Sequence, residues 1–246
     1  DVETLALTSE GTANRVDASS VSDATAITAA GAVDLNITAV ATGVKTIDAS
    51  DMTADFSVDA TGTTASLTAL SAGTGDDTFT VDAADLAVNA TVAGSTGADT
   101  LDITAAANKT LQLKMTGVET IDARDIASTK TVTMSMSDVT GFTTINMTNP
   151  ENGTTNMAGT LKLINDTGAT AITTTGAHAG TINTDTTGKV SLTAGAEAAL
   201  TTAKTTATLT TSIASANSTE IDINVGKYID YTGDVTAAKA TTVSFT

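Results

Sequence analysis

Residues Ala72–Leu86 read AGTGDDTFTVDAADL. Glycines at 73 and 75 give the backbone conformations closed to other residues, which marks a tight turn. Phe79 and Val81 then alternate with threonine and aspartate, the pattern of a strand with one face buried. Between turn and strand stand Asp76 and Asp77, two like charges side by side. Such a pair is unfavourable unless something neutralises it, and carboxylates beside glycine carbonyls are ligands for a hard cation such as calcium. The plain alternative is a glycine hairpin whose aspartates only cap the turn. Recurrence of the pattern distinguishes the two.

The pattern recurs. GSTGADTLD at 94–102 follows AGTGDDTFT at 72–80 by one period and keeps Gly97, Asp99 and an apolar residue, Leu101, in the matching places. Both fit the nonapeptide G-G-x-G-x-D-x-U-x with one glycine changed, to Ala72 in the first copy and Ser95 in the second. Elsewhere TGVKTIDASDM at 42–52 and TGVETIDARDI at 116–126 are near copies. A further word, Asp-Ala-x-(Asp/Ser)-apolar, appears as DASSV at 17–21, DASDM at 48–52, DAADL at 82–86 and DARDI at 122–126. Short alternating segments run between these words, among them VDLNI (33–37), FTV (79–81), LQLKM (111–115), VTMSM (132–136) and IDINV (221–225).

Composition selects the architecture. Of 246 residues 56 are threonine, aromatic residues make up 2%, and there is one proline. Small β-branched side chains suit a pleated surface but give a thin core. A unit of about 20 residues with two short strands cannot bury its own apolar face, so copies must stack. The expected fold is therefore all-β, a right-handed parallel β-helix or β-roll-like solenoid with about 20 residues per coil. An antiparallel sandwich also spaces strands at this interval, but its core draws on large residues that are scarce here. Residues 1–130 are expected to form an acidic calcium-binding segment. Residues 131–246 are expected to continue the solenoid as a threonine-rich stretch, or to form a separate subdomain. The segment Thr193–Ala207 alternates little and is read as a short helix or a worn repeat.

A formal charge of -17, with 22 aspartates against 6 glutamates, excludes nucleic acid as a partner and favours cations. No apolar run is long enough to span a membrane, so membrane insertion is not expected. The absence of cysteine excludes disulfides and thiolate metal sites. The one histidine, His178, sits in a small polar loop with no second imidazole to share a metal or complete a catalytic triad. Carboxylate pairs occur in polysaccharide-cleaving β-helices, yet tryptophan, the usual platform for sugar rings, is absent. An enzyme is not expected. The chain opens inside a strand-like segment, VETLALT at 2–8, and is read as a piece of something longer.

Stacking two glycine turns one period apart would let them share one ion, since calcium takes six to eight oxygens and one turn supplies fewer. The candidate ligands are Gly73, Gly75 and Gly97 through their carbonyls and Asp76, Asp77 and Asp99 through their carboxylates. Asp48, Asp51, Asp82, Asp85, Asp122 and Asp125 are weaker candidates, because their words lack glycine and suit Asx turns equally well.

GVKTIDASD (43–51), GVETIDARD (117–125) and GTGDDTFTV (73–81) together resemble segments of RTX-type bacterial S-layer proteins. The likeness covers residues 14–126 well and 127–246 only loosely. It implies a calcium-bound β-roll or β-helix, export without a removable leader, an extracellular location on the bacterial surface, and assembly with other copies into a two-dimensional lattice. Attachment to cell-surface polysaccharide would then use a domain outside this sequence. Residues 1–246 are read without a full tandem run of nonapeptides, an obvious anchoring domain or a recognisable export signal. RTX adhesins share these words, so an adhesin spacer or ligand-binding module is the alternative, and a polysaccharide-acting β-helix enzyme a remote one.

Overall fold

The computed structural model describes residues 2–147, 158–168, 170–175, 180–195, 207–209, 212–225 and 229–246. His178 lies outside them, as does most of the stretch 193–207, whose described ends belong to the strands Val190–Gly195 and Ala207–Leu209. Two compact units divide the chain. One comprises Asp1–Thr104, Leu111–Ile121 and Asp138–Phe142, the other Ala105–Thr110, Asp122–Ser137 and Thr143–Thr246.

In the first unit, Thr4–Ser9, Ala26–Gly31, Thr46–Met52, Leu67–Ser71, Leu86–Ala93, Lys114–Thr116 and Val139–Thr140 lie side by side in chain order in one sheet. Between them in sequence come Asn14–Asp17, Leu35–Ala39, Phe56–Asp59, Thr78–Asp82 and Thr100–Ala105, stacked in the same order in a second sheet. The pairing is parallel, as between Thr78–Asp82 and Thr100–Ala105. The chain thus alternates between sheets and returns one layer further each time, which is a parallel β-solenoid. Stacked residues are commonly 22 apart, as at Thr53 on Gly31 and Asp77 on Asp99, slightly more than the period expected.

The second unit repeats the plan. Thr131–Ser135, Thr160–Ile164, Thr181–Thr184, Ser212–Ser215 and Val235–Thr236 form one stack; Thr144–Met147, Thr170–Thr175, Val190–Gly195, Glu220–Val225 and Thr242–Phe245 form another. Its coils are less regular: hydrogen-bonded neighbours are 18 residues apart at Thr184 and Asp166 but 32 at Asn217 and Asp185.

Alternation places one residue type at one height in every coil. Ile27, Ile47, Leu70, Val92 and Met115 form a continuous buried column in the first unit, and Val132, Leu161, Ile182 and Ile213 one in the second. Each such side chain contributes roughly 1.5–3 kcal/mol through burial. The core rests on aliphatic ladders, with Phe56 and Phe79 meeting edge to face at 6.4 Å between ring centres.

Two local expectations change. LQLKM, read as one strand, is a corner: one strand ends at Leu111, another begins at Lys114, and Leu111, Leu113 and Met115 are all buried. A residue facing the interior must be apolar on a corner as well as on a strand, so period-two alternation passes through the bend unmarked. DASDM and DARDI lie within the strands Thr46–Met52 and Thr120–Ile126. In the first, the register slips between Thr28 and Ala30 of the neighbouring strand, a β-bulge that absorbs the extra residue.

Candidate metal centre

The two glycine-aspartate turns lie directly on one another in the first unit. Thr74 and Thr96 form a parallel bridge, and the Gly75 N–H donates to the Thr96 carbonyl at 3.1 Å. Gly75 and Gly97 have φ of 136° and 145°, outside the range of ordinary L residues. A Cβ on Gly97 would stand 1.8 Å from the Gly75 carbonyl oxygen, so close stacking of these turns requires glycine there. Ser95, at the position that holds Gly73 in the first turn, takes a left-handed φ of 77°.

Carboxylates stitch the stack together along two lines. On the exposed line, Asp55 Oδ1 accepts the Asp76 N–H at 2.9 Å, and Asp76 Oδ1 accepts the Ala98 N–H at 2.8 Å. On the interior line the direction reverses. Asp77 Oδ1 accepts the Phe56 N–H at 2.7 Å, Asp99 Oδ1 the Asp77 N–H at 2.9 Å, and Glu119 Oε2 the Asp99 N–H at 2.8 Å. Each carboxylate therefore takes the place of a ladder carbonyl where the glycine turn interrupts the sheet.

Asp77 and Asp99 have no solvent-accessible surface. One oxygen of each receives the backbone N–H just described; the other, Oδ2, is buried with no hydrogen-bond donor against it among the described residues. Burial pushes both carboxyl groups up to about 6, against the pull of the backbone hydrogen bonds. Neighbouring charge adds to the rise, from Asp99, Asp55 and Asp76 at Asp77 and from Glu119 and Asp76 at Asp99. A buried anionic oxygen without a partner is costly, by several kcal/mol unless a counter-charge meets it. The Asp99 carboxylate lies over Gly94, where a Cβ would stand 2.4 Å from Oδ2, so that glycine makes room for it.

The arrangement fits a divalent cation in part. Two anionic oxygens one coil apart lack donors, and carbonyl-bearing glycine turns stack beside them. Among the described residues no three acidic or imidazole side chains converge on one point, so carbonyls would have to supply most of the coordination. Of the candidates taken from sequence, Gly73, Gly75, Asp76, Asp77, Gly97 and Asp99 share this corner.

The weaker candidates lie on strands and turns of their own. Asp48 accepts the Ser50 N–H and hydroxyl and the Ser71 hydroxyl, which hold its carboxyl below the usual range, the Ser50 hydroxyl most. Asp82 caps the short helical turn Ala83–Asp85 by accepting the Ala84 N–H. Asp51 is exposed, Asp85 and Asp125 are half-buried, and Asp122 is buried on its strand. Asp48 and Asp82 each already accept hydrogen bonds from their own turns.

Sequence reasoning missed Asp55 and Glu119. Asp55 lacks the glycines that drew attention to Asp77, although both precede an apolar alternating strand. Glu119 sits in the phrase GVETI and reads as a strand lead-in; its position 20 residues beyond Asp99 was the available signal.

A second buried corner, also unforeseen, lies in the second unit. Asp166 is buried, and both of its oxygens are satisfied: Oδ1 accepts the Gly168 N–H at 3.2 Å, and Oδ2 accepts the hydroxyls of Thr170 at 2.7 Å and Thr184 at 3.0 Å. Asp185 accepts the N–H groups of Asn165 and Asp166, one on each oxygen.

Searches of protein-family models, curated sequences and solved structures found no significant match to the chain.

Proposed function

We propose that this chain is a calcium-stiffened structural segment of a bacterial surface-layer protein, working outside the cell and assembling with copies of itself into a two-dimensional lattice. One observation carries the calcium part: Asp77 and Asp99, buried in successive coils, each keep one carboxylate oxygen without a hydrogen-bond donor among the described residues. Asp77 and Asp99 would hold the ion together with carbonyls of the turns 73–75 and 95–97, while Asp76 and Glu119 add negative charge nearby. The ion would supply the positive charge that the corner lacks. Calcium suits such a site because it accepts many oxygens in loose geometry, and extracellular modules bind it at the high concentrations found there. The lattice part rests on the turn words shared with RTX-type S-layer proteins and on a repetitive, acidic, cysteine-free chain. No catalytic role is assigned.

The test has two arms. Circular dichroism with calcium and with a chelator should show lower thermal stability in chelator; equal melting would remove calcium from the account. Electron microscopy at matched concentrations should show ordered sheets only with calcium. Calcium binding without sheets, together with capture of a host glycan, would favour the adhesin reading instead.

A further inference from the structure

We infer that dependence on the cation is confined to the first unit, because the second unit meets its buried corner carboxylate, Asp166, with hydroxyl groups, while its other buried aspartate, Asp122, lies within a strand and not at a glycine turn. This inference rests on the calcium reading above and adds to it a division of labour along one chain. Asp77, Asp99 and Asp166 are all buried aspartates at solenoid corners. They differ in what meets their second oxygen. At Asp77 and Asp99 no donor does, among the described residues. At Asp166 two threonine hydroxyls meet one oxygen and a backbone N–H the other.

The replacement is built into the register. In the second unit the interior column beginning Met134 and Leu163 continues as Thr184 and Ser215, so an apolar ladder turns into a hydroxyl ladder where it passes Asp166. Thr186 strengthens the same corner. Its hydroxyl donates to the Gly168 carbonyl and accepts the Gly188 N–H, tying successive turns together through neutral groups. Asp185 uses both oxygens on backbone N–H donors and has a half-buried position. Such carboxylates have their oxygens satisfied by donors of the protein itself. Removing calcium therefore leaves this corner with all its bonds, while the first corner is left with two uncompensated buried oxygens.

Hydrogen–deuterium exchange of the whole chain, in calcium and in excess chelator, reads both units at once. The expected result is faster exchange in chelator, by about tenfold or more, in Phe56–Asp59, Thr78–Asp82 and Thr100–Ala105. Exchange in Thr160–Ile164, Thr181–Thr184 and Val190–Gly195 should be unchanged. Equal acceleration in both sets, with calcium binding seen by calorimetry, would overturn the confinement and leave the calcium reading standing. Unchanged exchange everywhere, with no heat of calcium binding, would overturn both. The Asp77→Asn, Asp99→Asn double variant supplies the control: its first-unit strands should exchange at the same rate with and without calcium.

Discussion

Asp77 in the first unit and Asp166 in the second face the same problem, a carboxylate buried at a corner where the chain leaves one sheet for another. The first has one donor, the Phe56 N–H, and the second has three. The difference shows how a threonine-rich solenoid can bury acid. Hydroxyls that alternate inward serve as fixed donors, and where glycine turns stand instead one carboxylate oxygen is left without a donor among the described residues. Glycine and threonine thus represent two solutions: the turns at 73–75 and 95–97 bring coils close, whereas Thr170 and Thr184 fill the space with donors.

The largest effect is expected from stripping the donors of Asp166. The double variant Thr170→Val, Thr184→Val keeps side-chain volume but removes both hydroxyls from Oδ2. Hydrogen bonds to charged groups contribute about 1.5–3 kcal/mol each, so a loss of roughly 3–6 kcal/mol is expected in denaturant unfolding, equally in calcium and in chelator. A variant as stable as the parent would show that these hydroxyls do not hold the charge.

Next in size is the converse change in the first unit. Asp77→Asn with Asp99→Asn removes two buried charges and keeps shape. In chelator at neutral pH the variant should be more stable than the parent by about 2–4 kcal/mol: two carboxyls raised by roughly two units each at about 1.4 kcal/mol per unit give roughly 5–6 kcal/mol, and burying two amide NH2 groups takes back a part of it. In calcium the order should reverse, because the parent gains the ion and the variant does not.

The two corners were unequally legible in the sequence, and the reason is physical. Two glycine-aspartate turns of the same pattern one period apart stood out, and the stacking they implied is the stacking observed between Asp77 and Asp99. Asp166 sits in NDTGAT at 165–170 with no second glycine, and its partners are two threonines among 56. A donor that works from a neighbouring coil carries no local mark, since its role depends on which residue the coil length sets opposite it. The same holds for Glu119, which reaches Asp99 only because its coil is 20 residues long there. Strands were legible from alternation, and their parallel stacking from the repeat of the turn words. The corner at Leu111–Lys114 was not, because alternation continues through it.

A smaller effect is expected from pH, and its sign separates the two kinds of acid. Asp77 and Asp99 are raised to about 6, so in chelator the folded state binds protons that the unfolded chain releases. Their contribution is full below about 4 and is lost as pH rises through 6, so the chelated protein should gain stability on acidification from pH 7 to 5. Asp48 is lowered, by the Ser50 hydroxyl first, so its contribution is present above about 4 and is lost at lower pH. Melting in chelator should therefore peak near pH 4–5, whereas with calcium bound it should stay level from pH 7 to 5, so that the gain calcium brings shrinks through 6 as protons compete for the same oxygens. A chelated protein that loses stability steadily from pH 7 to 5 would contradict the burial of these groups.

The smallest effect concerns backbone geometry at the first corner. Ser95 holds a φ of 77° that glycine adopts without strain, and Ser95→Gly restores the nonapeptide. A gain of about 0.5–1 kcal/mol is expected, together with tighter calcium binding. Destabilisation would mean that the serine side chain contributes more than its backbone conformation costs.

Calcium titration by isothermal calorimetry, parent beside the Asp77→Asn, Asp99→Asn variant, addresses the counter-charge itself. Saturable binding to the parent, abolished in the variant, is the expected result. Identical heats from the two proteins, or none from either, would contradict it.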